Sequence, residues 1–403
     1  RIVDIMSFRD SLWNYRSSVH PFFTLFAFPP AYFFEKAFNI SGLQAIQITC
    51  SLVIFCWYLT LYLILRYLKL KIVDALILLL MASVTSSCLF WFAIPETYSF
   101  GSLTMLFSIL ILFMLKENKP FKNTFLSFVF INLISFSITI TNWMVGIVST
   151  ILNHPFKYAV KIFSVSIILF MILWGVQKAV FPETTFFLSK ISEEKNYIEN
   201  DRIIKRMLEA PRSFFFHSIF MPEVRNMENP NNDQWPILSV QRSKLGSGSK
   251  YHIFGIIIYI IIYVIGMIEL FKRIKKEKIY LIIFLSLLGQ FLLHLFYGEE
   301  TFLYALHYFS FLIIIVGLGL VSRFRKLILF LVIVLIPLLL LNNTRQFNAV
   351  LNTIHQSGFE REKVQNQMYL RPDDPWPAGK DHMLLGLPGS IDTEKAYFEK
   401  GGC

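Results

Sequence analysis

Apolar residues run along this chain in blocks of about twenty, the length that carries an α-helix across the hydrocarbon core of a bilayer. The blocks lie near residues 42–65, 73–94, 98–115, 124–141, 143–153, 160–180, 253–271, 279–297, 303–321 and 327–341. Ten spans are therefore expected. A helix satisfies its own backbone N–H and C=O groups in lipid, and the sequence lacks the two-residue alternation of a membrane β-barrel. The pattern predicts an all-α polytopic membrane protein.

The polar connections carry a second pattern. Basic residues cluster at Arg66, Lys69 and Lys71, at Lys116, Lys119 and Lys122, at Lys157 and Lys161, between Lys272 and Lys278, and at Arg323, Arg325 and Lys326. Under the positive-inside rule all of these mark the cytoplasmic side. Between Lys122 and Lys157 the chain must then leave that side and return, with only about 30 apolar residues where two full spans need about 40. The polar break TITNW (139–143) is accordingly read as the tip of a shortened hairpin. One long helix over 124–153 would throw every later basic cluster to the other side. In this register the outer side collects the N-terminal stretch RIVDIMSFRDSLWNYRSSVHPFF, IPETY, TITNW, the loop 182–250, YGEETFLY and the tail from 343 onward. Within that loop EEKNYIENDRIIKRMLEAP reads as a surface helix stopped by Pro211, and the tail's LRPDDPWPAGKDHMLLGLPGS has the Pro and Gly punctuation of a small cap.

Composition agrees with a membrane protein: 55% of the 403 residues are hydrophobic, and the mean hydropathy is +0.55. The formal net charge of +11 would suit nucleic acid, but the basic residues sit between apolar blocks, so nucleic-acid binding is set aside. Cys50, Cys56 and Cys88 fall in apolar blocks and Cys403 is the last residue, which gives neither a disulfide framework nor metal-ligand spacing. The chain opens on Arg1 rather than Met, and one further helix is expected ahead of it.

Candidate chemistry gathers on the outer side. Glu96 stands in IPETYSFGSL where an oily run ends, and Asp4, Asp10, His20, Asn142, Glu299, Glu300 and His307 belong to the same side. Ionisable groups beside lipid are expensive and mark functional places. Carboxylates there can take a proton from a hydroxyl or bind a metal, while Arg and His can hold a phosphate. Each residue also has a structural reading. Asp4 reads as a solvated loop acid, Asp10 and Glu96 as helix-start acids, and His20 with Pro21 as a turn. Arg9 and Arg16 read as lipid headgroup contacts, and Asn142 with Trp143 as the anchor of the hairpin tip. If the stretch is helical, Glu300, Tyr304 and His307 share one face at spacings of four and three.

Taken in order, VHPFFTLFAFPP (19–30), IPETYSF (94–100), TNW (141–143) and YGEETFLYALHY (297–308) resemble the GT-C superfamily of integral membrane glycosyltransferases. The likeness is to the bacterial branch related to protein O-mannosyltransferases and lipid A aminoarabinose transferases. It implies a GT-C type helix bundle over 1–342 with short extracytoplasmic loop helices, followed by a small extracytoplasmic segment over 343–403. It also implies an inverting transferase in the bacterial inner membrane. Such an enzyme takes its sugar from a polyprenyl-phosphate donor and passes it to a glycan, lipid or protein hydroxyl on the extracytoplasmic face. An acid of the first outer loop, here Asp4 or Asp10, would deprotonate the acceptor or help bind a divalent metal, Mg or Mn. Glu96 would support it. Arg9, Arg16, His20 and His307 would face the donor phosphate, and Asn142, Glu299, Glu300 and Tyr304 would complete the substrate site. Two other readings stand beside this one: a transporter of a lipid-linked or polar substrate, with a buried proton relay at His294, and a non-catalytic envelope assembly protein on the same scaffold.

Overall fold

A computed structural model describes residues 2–117, 124–187, 189, 203–227, 237–298 and 300–356. The apolar blocks fold as helices: α1 (Ile2–Ser7), α2 (Phe23–Phe38), α3 (Gly42–Tyr67), α4 (Ile72–Ser83), α5 (Ser86–Trp91), α6 (Thr97–Lys116), α7 (Thr124–Ser137), α8 (Met144–Asn153), α9 (Phe156–Val180), α10 (Ile203–Arg212), α11 (His252–Ile274), α12 (Lys278–Phe296), α13 (Ala305–Leu320) and α14 (Arg325–Gln356). Strands β1 (Arg225–Met227) and β2 (Ile237–Ser239) pair antiparallel in the loop after α9. Seven helical stretches are long and apolar enough to cross a membrane: α3, α6, α9, α11, α12, Thr301–Leu320 and α14. The protein is thus a predominantly helical, multi-pass membrane protein. The other three expected spans are shorter helices, Ile72–Ser83, Thr124–Ser137 and Ile140–Asn153.

Local signals explain the boundaries. Asn39 takes the left-handed conformation (φ 50°) that ends α2. Ser41 then opens α3 through a reciprocal cap: its hydroxyl accepts from Gln44 N at 3.3 Å, and Gln44 Oε1 accepts from Ser41 N at 3.1 Å. Residues 124–153 form a hairpin, as parity requires. At about 1.5 Å per residue its arms are only about 21 and 15 Å long, and Asn132 Nδ2 ties them by donating to Thr150 Oγ1 at 2.8 Å.

Three expectations are corrected. The block 73–94 is not one helix but breaks between α4 and α5, at Val84 and Thr85. Ser86 N donates to Ile219 O at 3.1 Å, Ser87 Oγ to Ser218 O at 2.7 Å, and Asn343 Nδ2 to Val84 O at 2.8 Å. These tertiary partners satisfy backbone groups that a break would otherwise expose to hydrocarbon. Pro211 does not stop α10: lacking the N–H that would reach back to Met207, it lets the chain widen into a π-helical turn over Ser213–His217. The final helix does not end near 342 but continues to Gln356, with Asn342 and Asn343 fully buried in its middle. Residues 357–403, which hold the rest of the expected cap, lie outside the described residues.

The core is built around α13, whose every residue is buried. At Gly266 of α11 an added Cβ would lie 2.2 Å from Ile315 O, so α11 and α13 touch backbone to backbone and glycine is required. Trp57 of α3 donates to Ser102 Oγ of α6 at 2.8 Å, and that hydroxyl donates on to Leu306 O at 2.6 Å. Three helices are thereby locked in register. Basic residues at one end of the bundle are paired. Lys69 meets Glu117 at 2.9 Å, Lys116 meets Glu277, and Arg325 grips the buried Asp74 through two bonds of 2.6 and 2.7 Å.

Candidate functional site

The opposite end of the bundle brings separate motifs together. IPETY makes the start of α6: Glu96 is its N-cap, accepting from Thr97 N at 3.4 Å, and Tyr98 points across to α13. The Tyr98 ring stands edge-on to His307 at 5.8 Å and to Tyr304 at 6.2 Å. Trp91, just before this motif, donates to Phe302 O at 2.9 Å. IPETY and YGEETFLYALHY therefore share one wall.

Beneath that wall lies a polar floor. Asn142, in the hairpin tip, is fully buried, donates to Gly101 O at 3.1 Å and accepts from Gln290 Nε2 at 3.3 Å. Both ends of its amide are engaged by the protein. A Cβ on Gly101 would come within 2.9 Å of His307 Nε2, 3.2 Å of Asn142 Nδ2 and 3.3 Å of Thr139 Oγ1. The absent side chain is what lets these three polar atoms close over α6. Trp143 is half-buried. It donates to Asn132 Oδ1 at 2.7 Å and stands edge-on to the stacked pair Phe136 and Phe170.

Histidines line the same region. His294, in the last turn of α12, stacks on Tyr304 at 4.9 Å, and His307 lies on the other approach to that ring, at 6.4 Å. Nε2 of His307 has no hydrogen-bond partner. His20 joins from the N-terminal segment, with Nδ1 3.0 Å from Ile138 O. The carbonyl can only accept, so Nδ1 carries the proton and Nε2 the lone pair. Burial first, and then the neighbouring Arg16 guanidinium, pull the His20 pKa down to about 3. A neutral ring of that tautomer can accept a hydrogen bond at Nε2 but, with its basicity so reduced, is suited neither to taking up a proton nor to gripping a phosphate.

The remaining sequence candidates divide. Glu300 does not share the face of Tyr304 and His307. Residues Thr301–Tyr304 form a 3-10 turn with Glu300 as its extended N-cap, so the α-helical spacing stops before it. Its Oε2 accepts instead from Ser239 Oγ at 2.6 Å, Val240 N at 3.2 Å and Gln241 N at 3.3 Å, and Gln241 Oε1 accepts in return from Thr301 N at 2.9 Å. Burial raises the Glu300 carboxyl to about 7 despite those bonds. Glu299 lies outside the described residues. Asp4 is half-buried on α1, whose Ile2, Ile5 and Met6 pack with Ala27 of α2 and Ile46 of α3. Asp10 is exposed in the turn after α1, and Arg9, also exposed, spends its Nε on Val180 O at 2.6 Å. Glu96 and α1 border the same stretch of α3, around Cys50.

The chain matches no protein-family model, no curated protein and no solved structure. The site must be argued from its own atoms. Among the described residues no three His, Cys, Asp or Glu side chains converge where they could share a metal ion.

Sequence reasoning missed two features. Arg206, on loop helix α10, is almost fully buried and donates to Tyr297 O at 2.6 Å and to His294 O at 3.5 Å, over the end of α12. In the sequence it is one basic residue among several on a polar helix, and nothing there marks it for burial. The second feature is a buried stripe on α12, Ser286, Gln290 and His294, readable from its spacing of four. It reaches about 12 Å along the helix from His294. Beyond Ser310, α13 is apolar or glycine to its end. On these two helices the polar path stops partway.

Proposed function

We propose that the chain is a membrane glycosyltransferase of GT-C type, working at the bundle end where Tyr98, His307, Asn142 and His20 meet. The observation that carries this reading is convergence. Four motifs far apart in sequence, the same ones whose order resembles that superfamily, contribute to one wall and floor at the end opposite the paired basic residues. The polar path that begins there fades within α12 and α13, which favours chemistry at one surface over passage through the bundle.

In the proposed reaction a carboxylate takes the proton of an acceptor hydroxyl, the hydroxyl oxygen attacks the anomeric carbon, and the bond from that carbon to the phosphate oxygen breaks. The phosphate leaves with the electron pair, and the configuration inverts. Glu96, two residues before Tyr98, and Asp4, on the helix beside Cys50, are the proposed acids, with Asp10 the third candidate. Arg16 and His307 face the phosphate, and Tyr98 with Tyr304 shelters the reacting head from water. The donor is a polyprenyl-phosphate sugar, the acceptor a glycan, lipid or protein hydroxyl on the extracytoplasmic face of a bacterial inner membrane.

The test is transfer of radiolabelled sugar from polyprenyl-phosphate donors in membranes carrying the full-length protein. Glu96→Gln, Asp4→Asn and Asp10→Asn are compared with the parent. At least one should lower turnover by about 100-fold, the scale on which a general base contributes. Normal turnover in all three would overturn the assignment of the acids.

A further inference from the structure

One face of α3 is left bare by the rest of the bundle. Gln44, Gln47, Ile48, Ser51, Leu52 and Phe55 are all exposed along it, and a shallow groove runs between the first five and Ile40. Gln44, Gln47, Ile48 and Ser51 stand at i, i+3, i+4 and i+7, and Ile48, Ser51, Leu52 and Phe55 repeat that spacing one turn on. Four residues so placed frame the hole that receives a side chain from a facing helix. Two such holes follow one another on α3. Their depth sets them apart. α3 has 26 residues, a length of about 39 Å against a hydrocarbon core of about 30 Å. With the helix centred, Gln47 lies about 3 Å inside the core and Ser51 about 9 Å. Neither the Gln47 amide nor the Ser51 hydroxyl makes a hydrogen bond within the described residues. Amides inside other spans, Gln290, Asn342 and Asn343, are buried and hydrogen-bonded. An amide turned toward hydrocarbon without a partner is costly, and hydrogen bonding between helices is what removes that cost.

We propose that this face of α3 docks a second copy of the chain, α3 against α3, about a two-fold axis along the bilayer normal. Symmetry and hydrogen bonding identify the occupant. Copies of a membrane protein share one orientation, so such an axis sets each residue at the depth of its counterpart. Gln47 then meets its own counterpart, and so does Ser51. An amide carries one acceptor oxygen and two donor hydrogens, and a hydroxyl both donates and accepts, so each group is its own complement. From Gln44 to Leu63 the helix carries no charge that two like copies would bring into opposition. Ser51 is small enough to let the helix axes approach, while Ile48, Leu52 and Phe55 supply the side chains that enter the facing holes. The spacing suits a left-handed crossing of about 20°. A lipid tail offers neither donor nor acceptor and would leave both amides unpaired. The pairing needs none of the transferase chemistry.

The test uses the full chain in liposomes over a range of protein-to-lipid ratios, with energy transfer between copies labelled at the C-terminus reporting association. The parent should pair. Gln47→Leu should pair about tenfold more weakly, the loss expected when a reciprocal pair of interhelical hydrogen bonds goes, and Ser51→Phe, which fills the hole, should abolish pairing. Ile167→Phe, on the exposed side of α9, should leave it unchanged. Both α3 substitutions point away from the bundle, so the unfolding temperature should not fall. If it does, crosslinking decides. In a chain cleared of its native cysteines, Ile48→Cys should oxidise to a disulfide-linked dimer and Ile167→Cys should not. Copies that stay apart at every ratio would overturn the proposal, as would pairing that neither Gln47→Leu nor Ser51→Phe weakens. If the copies stay apart while Ile48→Cys resists a lipid-soluble maleimide that modifies Ile167→Cys, another helix covers the face and the second copy is ruled out. Because no turnover is measured, failure here leaves the transferase reading untouched, and a dimer that transfers no sugar sinks that reading alone.

Discussion

Gly101→Ala probes the floor of the site directly. In an exposed helical position alanine is favoured over glycine by about 0.8–1.0 kcal/mol. Gly175 of α9 is such a position, with no atom within 4 Å of an added Cβ, so Gly175→Ala should stabilise by up to about 1 kcal/mol. At Gly101 the added carbon would sit 2.9 Å from His307 Nε2, with Asn142 Nδ2 and Thr139 Oγ1 just behind. His307 is buried and bounded by Tyr98 and Tyr304, so its ring has little room to retreat. Overpacking of a buried site costs roughly 1–3 kcal/mol. Set against the helix-propensity gain, the net expectation is a loss of about 0–2 kcal/mol, opposite in sign to Gly175→Ala or close to zero. Reversible unfolding of both variants in mixed micelles, compared with the parent, gives the difference. Should Gly101→Ala stabilise as much as Gly175→Ala, His307 does not close over α6, and the polar floor described above is wrong.

Other consequences can be measured in the same system. Asp74→Asn removes the buried carboxylate that the partly exposed Arg325 grips and should lower the unfolding temperature, while Asp74→Leu combined with Arg325→Leu should recover much of that loss. Asn343→Ala strands Val84 O and Met221 N, takes from Ile219 O one of its two donors and leaves it Ser86 N, and should cost more than about 2 kcal/mol, seen as faster proteolysis of the loop 217–221. For Glu300 the folded value of about 7 lies above the ordinary 4.5, so the folded protein holds a proton that the unfolded chain has released. Its contribution to stability is full below about 4.5 and falls as pH rises through 7; Glu300→Gln should flatten the stability profile across that window.

What could be read from the sequence follows from the range of each signal. The capping box at Ser41 and Gln44 lies within one turn and was legible in principle, as was the hairpin, which parity and apolar length forced. The break at Val84 and Thr85 was not. Its residues contain neither Pro nor Gly, and its backbone partners come from Ile219, Ser218 and Asn343, more than a hundred residues away. For the same reason IPETY and YGEETFLYALHY could be placed at one end but not fitted together, since the Tyr98 contacts with Tyr304 and His307 are set by how α6 and α13 pack. Glu300 was misplaced because its face was argued on α-helical spacing and the chain there makes a 3-10 turn.

The Asn343 junction also bears on biogenesis. The carbonyl of Val84 is synthesised 259 residues ahead of the amide of Asn343 that satisfies it, with the loop at 217–221 pinned between them. The bend at Val84 must therefore wait in the membrane, wet and half-finished, until α14 is inserted. A nascent chain cut short before residue 343 would carry that defect permanently and should be a preferred target for membrane quality control.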